Sequence, residues 1–155
     1  MAIRTNNTRN IAQAVVFFFL STVFTWYFIE CGSSLYHFDK GKMLLSCSVA
    51  GAKWGIQILA AFLFLKEKRW PFIRNIAFTC FVGSMVLLPY CVTSIRNLLG
   101  GHGFLISLIA AVVIMLVLYY QGVRSSGVSI KWYFLWLLCL TIAISLQLTV
   151  VFHVI

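Results

Sequence analysis

The sequence predicts an all-α integral membrane protein, a compact bundle of five transmembrane helices with the N-terminus in the cytoplasm and the C-terminus outside. Three observations predict it. The 155-residue chain is 62% hydrophobic and only 10% charged, with a mean hydropathy of +0.99, where soluble domains carry about 25% charged residues. Five apolar runs, at about 11–30, 43–65, 76–95, 103–120 and 132–152, are long enough or nearly so to cross a hydrocarbon core of ~30 Å. Basic residues crowd the segments on one side of those runs. The runs leave no room for a soluble domain, so 1–155 reads as a single membrane domain. Helices must supply the spans, because a barrel would show alternating segments of ~10 residues.

The first run, Ile11–Glu30, follows Arg4 and Arg9 but exceeds a signal core of ~7–15 residues. Trp26 to Glu30 is too bulky for a cleavage site, so it is expected to remain as a helix. Its companions are Met43–Leu65, Ile76–Ile95, Gly103–Tyr120 and Trp132–Phe152. Pro89 is expected to bend the third run and free the carbonyl of Met85. With the N-terminus inside, the inner segments hold Arg4, Arg9, Lys66, Lys68, Arg69, Arg74, Arg124 and Lys131, and the outer ones only Lys40, Lys42 and Arg96. That bias follows the positive-inside rule and fits a bacterial inner membrane. Trp70, Tyr119, Tyr120, Trp132 and Tyr133 then mark one interface, and Trp26, Tyr27 and Tyr90 the other. The net charge of +9 has a membrane explanation and implies no nucleic acid. Lys66-Glu67-Lys68-Arg69 could attract anionic lipid at ~1 kcal/mol per basic residue.

Lys53 is the first functional candidate. It sits about ten residues from either end of the second run, at a depth of ~15 Å, where a charge costs ~2.5–3.5 kcal/mol on insertion scales and usually faces protein or a wet cavity. At ~100° per residue, Ser46, Ala50, Lys53, Gln57 and Ala60 share one small or polar stripe. Gly51 and Gly55 lie roughly opposite as a small-xxx-small pair for close packing. Both faces therefore look protein-facing, which predicts a second helix deep in the bundle. The first, third and fifth helices offer Ser21, Thr22, Thr25, Thr79, Ser84, Thr141, Ser145 and Gln147 at similar depth, whereas the fourth offers almost nothing. The expectation is a polar seam between helices one, two, three and five, with the fourth peripheral. Lys53, Gln57, Ser46, Trp54, Ser84 and Gln147 are its candidate ligand- or partner-binding residues. The acids Glu30, Asp39 and Glu67 all lie far from the lysine in depth. Lys53 is then a neutral amine, an ammonium bonded to hydroxyls and carbonyls, or the receiver of an anion from a substrate, a lipid or another subunit.

The same orientation gathers His37, His102 and His153 on the outer side, with Cys31, Cys47 and Cys91. Imidazole and thiolate suit zinc or copper, so the histidines are candidate metal ligands and the cysteines redox candidates, Cys31 with Cys91 foremost. No Cys-x-x-Cys, His-x-x-x-His or Glu-x-x-His spacing fixes a ligand geometry. Cys80 and Cys139 read as small packing residues. No cofactor is clearly implied, and nucleotide motifs and paired carboxylates are missing, which favours a non-catalytic role. The expected function is a subunit, scaffold or assembly factor that meets another membrane protein, or copies of itself, in the bilayer. The competing expectations are binding or transport of a small anionic or amphiphilic molecule through the seam, and redox or metal handling at the outer face.

Overall fold

Long apolar runs leave each backbone amide no partner but its own helix, and the chain folds accordingly. A computed structural model describes residues 2–37, 39–92, 95, 97–98 and 103–153. Among these lie α1 (Ala2–Tyr36), α2 (Lys40–Phe64), α3 (Arg69–Leu87) with a 3-10 turn at Leu88–Cys91, α4 (Gly103–Ser125) and α5 (Lys131–His153). Four helices are long and apolar enough to cross a membrane. Large apolar side chains such as Phe19, Leu63, Leu98 and Phe134 stand exposed around the bundle, as they do in a multi-pass helical protein facing lipid.

The helix ends follow local chemistry. Asp39 caps α2 by accepting from the Lys42 amide at 2.9 Å. Pro71 falls in the first turn of α3, where a missing N–H costs nothing. Gly127, at φ 61°, closes α4. Its amide donates to Arg124 and that of Val128 donates to Val123, a Schellman arrangement that uses up orphan carbonyls. Pro89 ends α3 rather than bending it. The helix stops at Leu87, and the Met85 carbonyl expected to be free accepts from the Leu88 amide.

The axial helix is α3, not α2. It packs along α1 on one side and α4 on the other, while α2 joins α5 and touches α3 less extensively. Against α1, Phe17 meets Phe78 and Phe81 at 5.3 and 5.5 Å, and Phe24 stacks on Phe81. Against α4, Gly83 allows the closest approach, since a methyl group there would stand 2.5 Å from Met115 Sδ. The fourth helix, expected at the periphery, is therefore clamped to the axis. Among the described residues Gly51 and Gly55 pack against no other element, because a methyl group at either meets no neighbouring atom within 4 Å. The expectation of a deeply enclosed α2 fails for the same reason. Only Lys53, Trp54, Gln57 and Ala61 are its buried residues.

Candidate functional site

One turn of α2 brings the central cluster together, because residues 53, 54 and 57 fall on adjoining lines of the helix surface. Lys53 is 6% exposed, and its Nζ lies 4.7 Å from the ring centre of Trp54 and 5.7 Å from that of Trp136 on α5. An ammonium this close to an indole face is drawn to the ring quadrupole. Among the described residues Lys53 has no hydrogen bond or ion pair. The thiols of Cys80 and Cys139 stand within its electrostatic reach. Glu30, the acid on α1, is engaged with Lys40 at 2.7 Å.

Trp136 is wholly buried and stacks on Tyr119 of α4 at 4.4 Å and 12°. The Tyr119 hydroxyl donates to Gln57 Oε1 at 2.9 Å, and Gln57 Nε2 donates to Cys139 Sγ at 3.7 Å. Trp136 Nε1 is a buried donor with no acceptor among the described residues. The cluster is thus rich in donors and aromatic faces and holds neither carboxylate nor imidazole among the described residues. Its chemistry is that of a rigid cation–aromatic joint that fixes the rotation of α2 against α4 and α5.

Of the expected seam, Lys53, Trp54 and Gln57 meet here, and Ser46, Ser84 and Gln147 do not. Gln147 Nε2 donates to the Ser46 carbonyl at 2.9 Å, joining α5 to α2 nearer the Cys31 end of the bundle. Ser84 is buried on α3 but bonds the carbonyl of Phe81 in its own helix. Thr22, Thr79 and Thr141 likewise bond carbonyls four residues back. A hydroxyl that can satisfy itself on its own helix need not form a path between helices, so no continuous seam exists among these residues. Ser21 differs, with its Oγ 3.1 Å from Cys80 Sγ.

At the end that carries Glu30 and Lys40, Cys31 in the last turns of α1 and Cys91 in the 3-10 turn lie on elements that pack together. All five cysteines are free thiols, and Cys47 on α2 is half-buried. The expected histidine group is not assembled by what is described. His37 is exposed in the α1–α2 turn, His102 lies outside the described residues, and so does the side chain of His153. The described residues hold no cluster of three metal-ligating side chains.

Two features escaped the sequence reading. At the other end of the bundle, Arg74 Nη1 donates to buried Asn10 at 3.1 Å and its Nη2 to Asn75 at 2.9 Å. Asn75 Nδ2 in turn reaches the Gly122 carbonyl and the hydroxyls of Ser125 and Ser126 at 3.3, 3.0 and 2.9 Å. This polar clamp ties α1, α3 and α4, and Lys68 closes the same end on the Gly127 carbonyl at 2.6 Å. The second is a groove of about 700 Å³ between α4 and α5, lined by Leu116, Val117, Tyr120, Gln121, Arg124, Ser125 and Tyr133. Comparison with protein-family models, curated proteins and solved structures finds no match to this chain.

Proposed function

We propose that this chain is a small non-catalytic subunit, scaffold or assembly factor of a membrane complex. All five helices span a bacterial inner membrane in this reading, with the N-terminus in the cytoplasm and the C-terminus outside, as the distribution of basic residues favours. The observation that carries the proposal is the open face of α2, where Gly51, Ala52 and Gly55 are exposed and a methyl group at either glycine meets nothing within 4 Å among the described residues. Association in lipid draws on close van der Waals contact, and small residues spaced by four let a second backbone approach. The Lys53 joint supports this reading from the opposite side of the helix. By holding Lys53, Trp54 and Gln57 inward, it turns the glycine face toward the bilayer. The lysine itself is too enclosed to be the contact, so the partner seat lies across the helix from it.

The occupant is the transmembrane helix of another membrane protein. Extraction from native membranes in mild detergent tests this. Wild-type chain is expected to co-purify with a second membrane protein, and Gly55→Leu to emerge alone with its bundle intact. A wild-type chain that runs as a stable monomer overturns the reading, and one that pairs only with itself moves it to a homo-oligomer.

The α4–α5 groove favours a second reading, binding of a small anionic or amphiphilic molecule. Leu116 and Val117 form an apolar wall, while Gln121, Ser125 and Arg124, whose guanidinium lies 6.0 Å from the Tyr120 ring, form a polar and cationic end. That pairing suits an acyl chain with an acidic headgroup. Arg124→Gln is expected to lower retention of anionic phospholipid through delipidating washes, and unchanged retention excludes the groove as its site.

A further inference from the structure

The string Lys66-Glu67-Lys68-Arg69 makes the turn between α2 and α3 and opens α3, and the fold sets its three cations in different surroundings. Lys68 is engaged inside the protein, where its Nζ donates to the Gly127 carbonyl at 2.6 Å. Arg69 has neither hydrogen bond nor ion pair among the described residues, and the exposed Glu67 pairs with none of its three neighbours. The Arg69 guanidinium is nonetheless held in place. It lies 5.7 Å from the Phe62 ring centre and 5.5 Å from that of Trp70, and the two rings meet edge to face at 5.1 Å and 88°. Perpendicular rings form a corner, and a guanidinium drawn against ring faces keeps its fork of N–H donors for another acceptor. Beside that corner the surface is apolar. Phe62, Leu63 and Phe64, the last turn of α2, are 41%, 67% and 74% exposed, on a helix long and apolar enough to cross a membrane. Where α2 leaves the bilayer, these side chains meet acyl chains while Arg69 and the exposed Lys66 stand at headgroup depth.

We propose that Arg69, set by Phe62 and Trp70, is the phosphate-recognising residue of a site for one anionic phospholipid at the α2–α3 turn. Lys66 adds positive charge, and Phe62, Leu63 and Phe64 form the wall for an acyl chain. A guanidinium matches two oxygens of a phosphodiester at once, where an ammonium offers a point charge. The two rings hold that fork before the lipid arrives, so little freedom is lost on binding. Two cations against Glu67 favour a headgroup of net negative charge over a zwitterionic one, whose own ammonium they repel. Lys68 carries the same charge at the neighbouring position but stays outside the site, because Gly127 holds it. The site is separate from the α4–α5 groove, whose cation is Arg124, and it stands whether or not α2 also seats a partner helix.

The test titrates delipidated full-length chain in mild detergent with phosphatidylglycerol, or with phosphatidylcholine of the same acyl chains, and counts bound lipid by native mass spectrometry. Every protein carries Arg124→Gln, so the α4–α5 groove does not contribute and its reading is untouched by failure here. Phosphatidylglycerol is expected to bind more tightly than phosphatidylcholine. Arg69→Gln is expected to weaken it at least about fivefold, the worth of one basic contact at a lipid surface. Lys68→Gln and Lys131→Gln, which remove the same charge from the same end of the bundle, are expected to change it little. Arg69→Lys keeps the charge, loses the fork and is expected to fall between. Unchanged binding in Arg69→Gln, or wild-type binding in Arg69→Lys, overturns the proposal. So does equal affinity for the two lipids, or an equal loss from either lysine control, which marks diffuse surface charge. Soluble glycerophosphoglycerol that displaces the lipid at equal concentration overturns it as well, because the apolar wall then contributes nothing.

Discussion

Alanine placed at Gly83 and at Gly55 should act in opposite directions, although both glycines sit inside apolar helices. At Gly83 the new methyl group stands 2.5 Å from Met115 Sδ and 2.9 Å from its Cγ. The thioether can rotate away at its far end, but Cγ is tied more closely to the backbone, so α3 and α4 must part slightly. Overpacking of this kind costs ~1–3 kcal/mol, and removing a helical glycine returns ~1 kcal/mol, which leaves a net loss of up to about 2 kcal/mol. At Gly55 an added methyl group meets no atom of another element within 4 Å among the described residues, so only the propensity gain remains and stability is unchanged or rises by up to ~1 kcal/mol. Reversible unfolding in mixed micelles of dodecyl sulfate and a mild detergent reads both. Met115→Ala removes the obstructing side chain and should recover about 1 kcal/mol of the Gly83→Ala loss in a double-mutant cycle. Equal destabilisation by both glycine variants would refute the placement of α3, rather than α2, at the close-packed axis.

Tyr119→Phe leaves the buried Gln57 Oε1 without its donor, and cycles across membrane helices measure such bonds at ~0.6 kcal/mol on average and ~1.7 at most. A coupling in that range with Gln57→Leu is expected by the same unfolding assay, and strict additivity would break the link between α4 and α2. Asn75→Leu removes every bond of the clamp to Gly122, Ser125 and Ser126 and leaves the Arg74 guanidinium with Asn10 alone. A loss of about 1–3 kcal/mol is expected for the hydrogen bonds removed, with faster proteolysis in the α4–α5 turn, and wild-type stability in this variant contradicts the clamp. Lys53→Met keeps the length of the side chain and its packing on Trp54 and Trp136 while removing a charge with no acceptor among the described residues. Stability should stay level or rise by about 1–2 kcal/mol, less than the full ~2.5–3.5 kcal/mol cost of the charge because the ring contacts are lost with it. A drop of that size shows that the ammonium is bonded.

How far the fold could be read from the chain depended on which physical signal was present. The helices were legible because each is a continuous apolar run, and Asp39, Pro71 and Pro89 punctuate them by local chemistry. Helix rotation was not, since lipid and protein interior are both apolar and a membrane helix loses the alternation that orients a soluble one. Gly51 and Gly55 carried the right spacing for close packing, but spacing does not say whether the neighbour belongs to the same chain. Gly83 packs closely without a second glycine to announce it. Tyr119 of the fourth helix has the sequence position of an interfacial aromatic, and its hydroxyl reaches Gln57 only through the fold. Lys53, Trp54 and Gln57 were found by the cost of burying charge and the period of a helix, while Trp136 lies 83 positions away, beyond any spacing argument. Arg74 was counted as a topology signal, although it bonds Asn10 and Asn75. Hydroxyls at similar depth do not make a seam, because Ser84, Thr22 and Thr141 turn back onto their own helices.

The open glycine face of α2 is tested most directly by native mass spectrometry of the chain ejected from its own membranes, wild type beside Gly55→Leu. The account predicts a wild-type assembly heavier than one chain that contains a second membrane protein, and a lone Gly55→Leu chain of unaltered bundle stability. A lone wild-type chain, or an assembly that survives Gly55→Leu intact, would contradict it.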